Sequence, residues 1–287
     1  MAFLKFLKKK SPSSKLDEVV KEYGEEPNKA WSILQVSQTV KEVEPMDPST
    51  PKPPNHTRFV CISDTHSVKN FENPIPDGDV LIHAGDFTML GNMKEINEFK
   101  KFITSLSHPH KVFIAGNHDL IMHGEKYEYL YSYWRTSVGE KGDPVEAKKL
   151  LDTSRLTYLE DSEVTINGIR IYGSPWVPDF GNWAFMLPRG EELKEKWNHI
   201  PDGIDILITH GPPLGYGDLC FNQARAGCIH LLQAVQNRVK PKYHIFGHIH
   251  EGYGIQTNGV TTFVNASTAN IRYQLKHKPI VFDLPNK

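Results

Sequence analysis

Five short apolar runs, at 59–63, 80–84, 112–115, 204–209 and 243–246, each stop abruptly at a small polar cluster. Runs this short and continuous predict strands buried on both faces, so each polar cluster should sit at a strand exit. Between them, Ile96, Phe99, Phe102, Ile103 and Leu106 recur at helical spacing, as do Cys228, Leu231, Leu232, Val235 and Val239. Both stripes predict helices laid on a sheet. Asn167-Gly168 and Asn258-Gly259 stand between β-prone residues and predict tight hairpins, which makes the sheet content mixed. The whole alternation is that of a layered α/β architecture.

Residues 1–57 break this rhythm. Ser11-Pro12-Ser13-Ser14 and a charged stretch lead into the proline-rich segment from Glu44 to Pro54. Proline removes donors and fixes φ, so the stretch reads as a basic and proline-rich arm, free or laid along a single domain at 58–287. The opening residues mix Phe3, Leu4, Phe6 and Leu7 with Lys8, Lys9 and Lys10. Read simply they are a basic tail, with weak purchase on a membrane surface as the alternative. They lack a sustained apolar core, so no secretory signal is expected, and no run approaches a membrane span.

Composition narrows the partners. With 33 Lys and Arg against 34 Asp and Glu, the formal net charge is -1, and no polynucleotide partner is expected. Three cysteines, Cys61, Cys220 and Cys228, make neither an even set nor a CxxC pair. That count suits a reducing, cytoplasmic location.

The clusters themselves are Asp64-Thr65-His66, Gly85-Asp86, Gly116-Asn117-His118-Asp119, Thr209-His210-Gly211 and Gly247-His248-Ile249-His250. In an extended segment residues i and i+2 point the same way, so Asp64 and His66 should converge on one ion, with His248 and His250 repeating the arrangement. Asp86 can give one oxygen to each of two ions, which a bridge holds roughly 3.5–4 Å apart. Asn117 adds a carbonyl oxygen and His210 an imidazole. Two divalent or transition ions such as manganese, iron or zinc suit this thiolate-free set. Between them a water becomes acidic enough to attack phosphorus. His118 is then available to protonate the departing oxygen, and Asp119 either orients that imidazole or caps the next segment.

Taken together, these motifs resemble the calcineurin-like metallophosphoesterase superfamily, marked by D-x-H, GD, GNH[DE], a later H and GHxH. Longer stretches, from Thr50 to His66, Thr209 to Gly215, Gly247 to Gly254 and Asn265 to Thr268, look like the metallophosphoesterase-domain-containing branch, related to class III cyclic nucleotide phosphodiesterases. The resemblance implies one metal on Asp64, His66, Asp86 and His250, the other on Asp86, Asn117, His210 and His248, with His118 catalytic. It further implies a four-layer α/β/β/α sandwich with two mixed sheets, and phosphodiesterase activity with cyclic nucleotides among the substrates.

Substrate contacts are expected from Phe87, Trp176, Phe180 and Trp183, whose rings can stack on a base, and from His123 and Asn265. The Gly-, Pro- and Trp-rich stretch 173–188 is the expected specificity loop. His83 and His244 read as core, and His108, His110, His199 and His277 as surface. The expected function is therefore dinuclear-metal hydrolysis of a small phosphodiester. A phosphomonoesterase (including a protein phosphatase) and a weakly catalytic nucleotide-binding scaffold are the rivals.

Overall fold

Each apolar run does form a strand, and what its two faces meet explains the lack of polar alternation. In the computed structural model, which describes residues 12–68 and 70–287, Phe59 and Cys61 of the strand His56–Ile62 belong to a core between two sheets. Val60 and Ile62 belong to a core beneath helices. Successive side chains of a strand point to opposite faces, so both must be apolar here.

One sheet has five strands in the order Ile280–Pro285, His56–Ile62, Val80–His83, His110–Phe113, Leu156–Tyr158, the first pair antiparallel and the rest parallel. The other has seven, in the order Lys41–Glu42, Gly254–Thr257, Thr262–Asn265, Tyr243–Phe246, Ile206–Thr209, Ile169–Ser174, Ser162–Ile166. Its middle four are parallel and its edges antiparallel. Ile206, Ile208, Ile245 and Val264 of the second sheet face Val80, Ile82, Val112 and Ile114 of the first. Helices Met93–Ser105, Tyr127–Val138 and Pro144–Leu151 cover the outer face of the five-stranded sheet. Helices Glu191–Asn198 and Ile229–Gln233 cover that of the seven-stranded one, the latter running on into the wider turns of Ala234–Val239. The result is the expected mixed four-layer α/β/β/α sandwich.

Local signals hold to different degrees. Asn167 and Gly168 take φ of 51° and 78° between Ser162–Ile166 and Ile169–Ser174, the left-handed pair a two-residue hairpin requires. Asn258-Gly259 instead opens a longer loop, in which Asn258 Oδ1 accepts from the amides of Val260 and Thr261.

Residues 12–34 depart from the arm expected there. They form helices Pro12–Tyr23 and Pro27–Leu34, and Leu16, Val19, Ala30, Trp31 and Leu34 are buried in the outer core of the seven-stranded sheet. The physical reason is spacing: these apolar residues fall on one helical face that has a sheet-covering core to meet. Lys41–Glu42 then adds an edge strand. The proline-rich part does stay irregular, tied down by Arg58, whose guanidinium donates to the carbonyls of Pro48 and Thr50. The expectation for the opening basic tail lies on residues 1–11, outside the described residues. Leu34→Ala should lower unfolding free energy in urea by about 2–5 kcal/mol. An unchanged midpoint would show that the helices fold apart from the domain.

Candidate metal centre

All five polar clusters gather at one end of the sandwich. The strands leading to them are parallel, so their exits point the same way. The local reason for convergence differs from the period-two argument. Asp64, His66, Asp86 and His248 take φ of 55°, 45°, 54° and 66°, so sharp left-handed turns, not extended backbone, aim the side chains. Non-glycine residues hold that conformation only where surroundings enforce it, typically at functional sites. Close approach does the enforcing: a Cβ on Gly247 would overlap Asp64 Oδ2 and Ser63 Oγ, and one on Gly116 would overlap Asp86.

Ligand-type atoms of Asp64, His66 and His250 lie within 4.8 Å of one another, and so do those of Asp86, His210 and His248. A third such group joins Asp86 to His66 and His118, so Asp86 stands between the other two. Asn117 Oδ1 is 3.0 Å from His210 Nε2, bringing the amide into the second group. His248 and His250 therefore divide between the groups and do not converge on one point.

The donor set fits cations. His210 Nδ1 donates to the Ala84 carbonyl (2.9 Å) and His250 Nδ1 to that of Asn270 (3.0 Å). These bonds leave the Nε2 lone pairs facing Asp86 Oδ2 at 3.2 Å and Asp64 Oδ1 at 3.5 Å. A lone pair aimed at a carboxylate is repulsive unless a proton or metal ion lies between them, and a backbone carbonyl behind the ring is the usual support of a metal-binding histidine. Electrostatics agrees. Burial works against a charged His210, yet Asp86 and Asp64 hold its pKa up to about 9, so the site favours positive charge. Burial pushes His66 and His248 down to about 3, keeping their rings neutral and able to ligate, and His66 Nδ1 is buried with no hydrogen-bond partner.

His118 stands beside this set. Its Nδ1 donates to the Met89 carbonyl at 2.7 Å, so Nε2 is the nitrogen available to a ligand, and its ring packs on Trp183 at 4.3 Å. Met89 is itself positioned by Glu95, which caps the helix Met93–Ser105 and accepts from the amides of Met89, Leu90 and Asn92. Asp119 takes neither of the two roles expected of it: the Met89 carbonyl, not Asp119, holds the His118 ring, and the Asp119 side chain makes no cap hydrogen bond to the following turn Leu120–Met122. Its carboxylate accepts from the amides of Gly116 (2.8 Å) and Thr88 (2.8 Å) and from the Thr88 hydroxyl (2.6 Å), lacing two clusters together. Burial and the Asp86 carboxylate raise its pKa.

Beside the ligands opens a cleft of about 580 Å³ whose lining includes Asp86, Asn117, His118, His248 and His250. Phe180 and Trp183 line it as expected, with Phe180 against His248 at 5.3 Å. Four other expected contacts do not. Phe87 is 1% exposed and stacked on Phe99, because the residue after Asp86 turns back into the core. His123 stacks on Phe185 and accepts from its amide, and Trp176 donates to Asp161. Asn265 is buried and spends its side chain on the carbonyls of Gly217 and Ile249 and the amide of Ser267.

The structure adds Tyr273, Phe221 and Arg189 to the lining. The Tyr273 ring lies 4.7 Å from His66 and 5.3 Å from His250. No local spacing in the sequence marks Tyr273, because a distant turn delivers it. Among the other histidines, His83 and His244 are core residues, bonded to Thr65 (2.9 Å) and Thr209 (2.8 Å), whereas His108 is buried against the expectation of a surface place.

Comparison with known proteins agrees with this geometry. The family model of calcineurin-like phosphoesterases matches residues 57–252. Metallophosphoesterase domain-containing protein 1 of Homo sapiens is 49% identical over 277 residues, covering 93% of this chain and 84% of that protein. UPF0046 protein T07D4.2 of Caenorhabditis elegans is 44% identical over 275 residues, covering 92% and 69% respectively. With its ligand-bearing turns inside the matched span, the chain belongs to the calcineurin-like phosphoesterase family.

Proposed function

We propose that this chain is a dinuclear-metal phosphodiesterase acting on small phosphodiesters, cyclic nucleotides in particular. The observation that carries this reading is the cleft: about 580 Å³ is the size of a small-molecule site, and it joins the two ligand groups to the aromatic walls Phe180, Trp183, Phe221 and Tyr273. Asp64, His66, Asp86 and His250 would hold one ion and Asp86, Asn117, His210 and His248 the other. Manganese, iron or zinc in these places would supply a nucleophilic water at neutral pH and charge for the phosphoryl oxygens.

The protein's own groups do the rest. The aromatic walls take the apolar part of the ester and bring phosphorus to the metal groups. A water oxygen bonds to phosphorus in line as the opposite ester bond breaks, the Nε2 proton of His118 passes to the departing oxygen, and the proton released by the water replaces it on Nε2. The Met89 carbonyl keeps the ring turned for that task. The three cysteines are unpaired, which favours a reducing compartment, and we assign the protein to the cytoplasm. Among the described residues no helix is long and apolar enough to cross a membrane.

Stripped protein reconstituted with manganese, iron or zinc should cleave bis-p-nitrophenyl phosphate, and none should be cleaved without metal. His118→Asn, which can still donate to Met89 but lacks the second nitrogen, should lose about 10²–10⁴-fold in kcat. Cleavage of p-nitrophenyl phosphate alone would transfer the reading to a phosphomonoesterase. No turnover with any metal would make it a binding scaffold.

A further inference from the structure

The loop 213–228 brings Cys220, Phe221, Asn222 and Ala226 to the cleft. Outside two isolated bridges, Pro213 with Cys228 parallel and Leu219 with Arg225 antiparallel, it contains no strand or helix, and its tip is closed by Cys220 N donating to Ala224 O and Ala226 N to Asp218 O. Further anchors reach it from outside. At the base, the Trp31 ring lies so close on Gly215 that a Cβ there would overlap it. The same ring carries the Arg225 guanidinium at 4.7 Å, and Asn28 Oδ1 accepts from the Arg225 amide at 2.7 Å. Arg225 in turn pairs with Asp218, a fully buried carboxylate that also accepts from Gly227 N at 3.3 Å. On the other flank, Arg189 donates to the carbonyls of Ala226 (2.8 Å) and Gly227 (2.7 Å) while lining the cleft itself. At the tip, Phe221 N donates to Glu251 Oε1 at 2.9 Å, next to His250.

Trp31 and Asn28 belong to the N-terminal helix Pro27–Leu34, which supplies no residue to the cleft. We propose that this helix is a positioning element of the active site, with Trp31 acting through Gly215 and Arg225 to hold the loop 213–228 in the shape that walls the substrate. Simple core filling does not account for the arrangement. An ion pair with one fully buried carboxylate carries a desolvation cost that an apolar contact would avoid, so its return is in geometry: it ties the two arms of the loop together. Trp31 shields that pair on one side and stacks on its cation, so a distant helix sets where Phe221 and Asn222 stand.

The kinetic half of the test rests on the phosphodiesterase reading, and the exchange half does not. Full-length manganese-loaded wild type, Trp31→Phe, Trp31→Leu and Arg225→Gln are compared by turnover of bis-p-nitrophenyl phosphate, manganese content and amide hydrogen exchange. Trp31→Leu and Arg225→Gln should raise KM about tenfold with kcat within about twofold, the pattern of lost binding rather than lost chemistry. Amides of 218–227 should exchange faster while those of Ile206–Thr209 and Tyr243–Phe246 stay protected, and Trp31→Phe should restore most of both effects. Unchanged exchange in 218–227, or equal loosening of the strands, would overturn the proposal. If wild type turns over no diester, the functional reading falls while exchange still decides this one. Should Trp31→Leu fail to fold, Asn28→Ala, which removes only the helix's bond to Arg225 N, carries the decision by the same exchange readout.

Discussion

Asp86→Ala is expected to lower metal-dependent diester turnover by at least about 10³-fold, more than any other single side-chain truncation in the site. Asp86 belongs to the group with His210 and His248 and to a second with His66 and His118, through which it meets the group Asp64, His66 and His250, so on the proposed function one substitution would weaken both metal places. Its Oδ1 also accepts from His118 N at 2.8 Å, and its Oδ2 lies 3.2 Å from His210 Nε2. A thermal measurement separates loss of metal from loss of fold. Metal at a hundredfold excess over Kd should stabilise the wild type by about 2.7 kcal/mol, because ligand binding to the native state alone adds RT ln(1 + [L]/Kd). The variant should keep a cooperative transition and lose that increment. An Asp86→Ala protein that retains metal-induced stabilisation and turnover would remove Asp86 from the metal centre and with it the dinuclear reading.

Gly247→Ala should also be damaging, by a different route. It removes no functional group, and Gly247 φ is not in the left-handed region, so no backbone penalty is involved. The added methyl would instead occupy the space of Asp64 Oδ2 and Ser63 Oγ. Asp64 accepts the His248 amide at 3.0 Å and faces His250, so pushing it aside displaces ligands on both sides. Overpacking of this kind costs about 1–3 kcal/mol of stability. Displacement of ligands by that contact should cut turnover by about 10²-fold, the scale of a misplaced catalytic geometry. Gly124→Ala is the matched control, since its nearest neighbour would be Pro144 Cβ at 3.6 Å; it should stay within about 0.5 kcal/mol of wild type. Equal behaviour of the two variants would show that the Gly247 contact places no constraint on the site.

The sequence by itself determined the layered α/β class, the strand exits and the seven ligand-type residues. Those signals are local: apolar runs buried on both faces read the same without their partners, and a carboxylate or imidazole keeps its chemistry wherever the chain places it. The helices at 12–34 escaped because their charged character dominates the segment. Only the core above the seven-stranded sheet makes Leu16, Val19, Trp31 and Leu34 one buried face. The cleft walls escaped for a related reason. Phe87 follows Asp86 directly, but the turn after Asp86 sends it into the core, whereas Tyr273, which no motif marks, is brought over His66 by a distant loop. Likewise Asp119 follows His118 directly yet bonds Gly116 and Thr88, while the Met89 carbonyl orients the ring. Which ligand-type residues converge, which rings face the substrate and which helix braces the loop depend on contacts between segments far apart in the chain, and tertiary packing alone decided them.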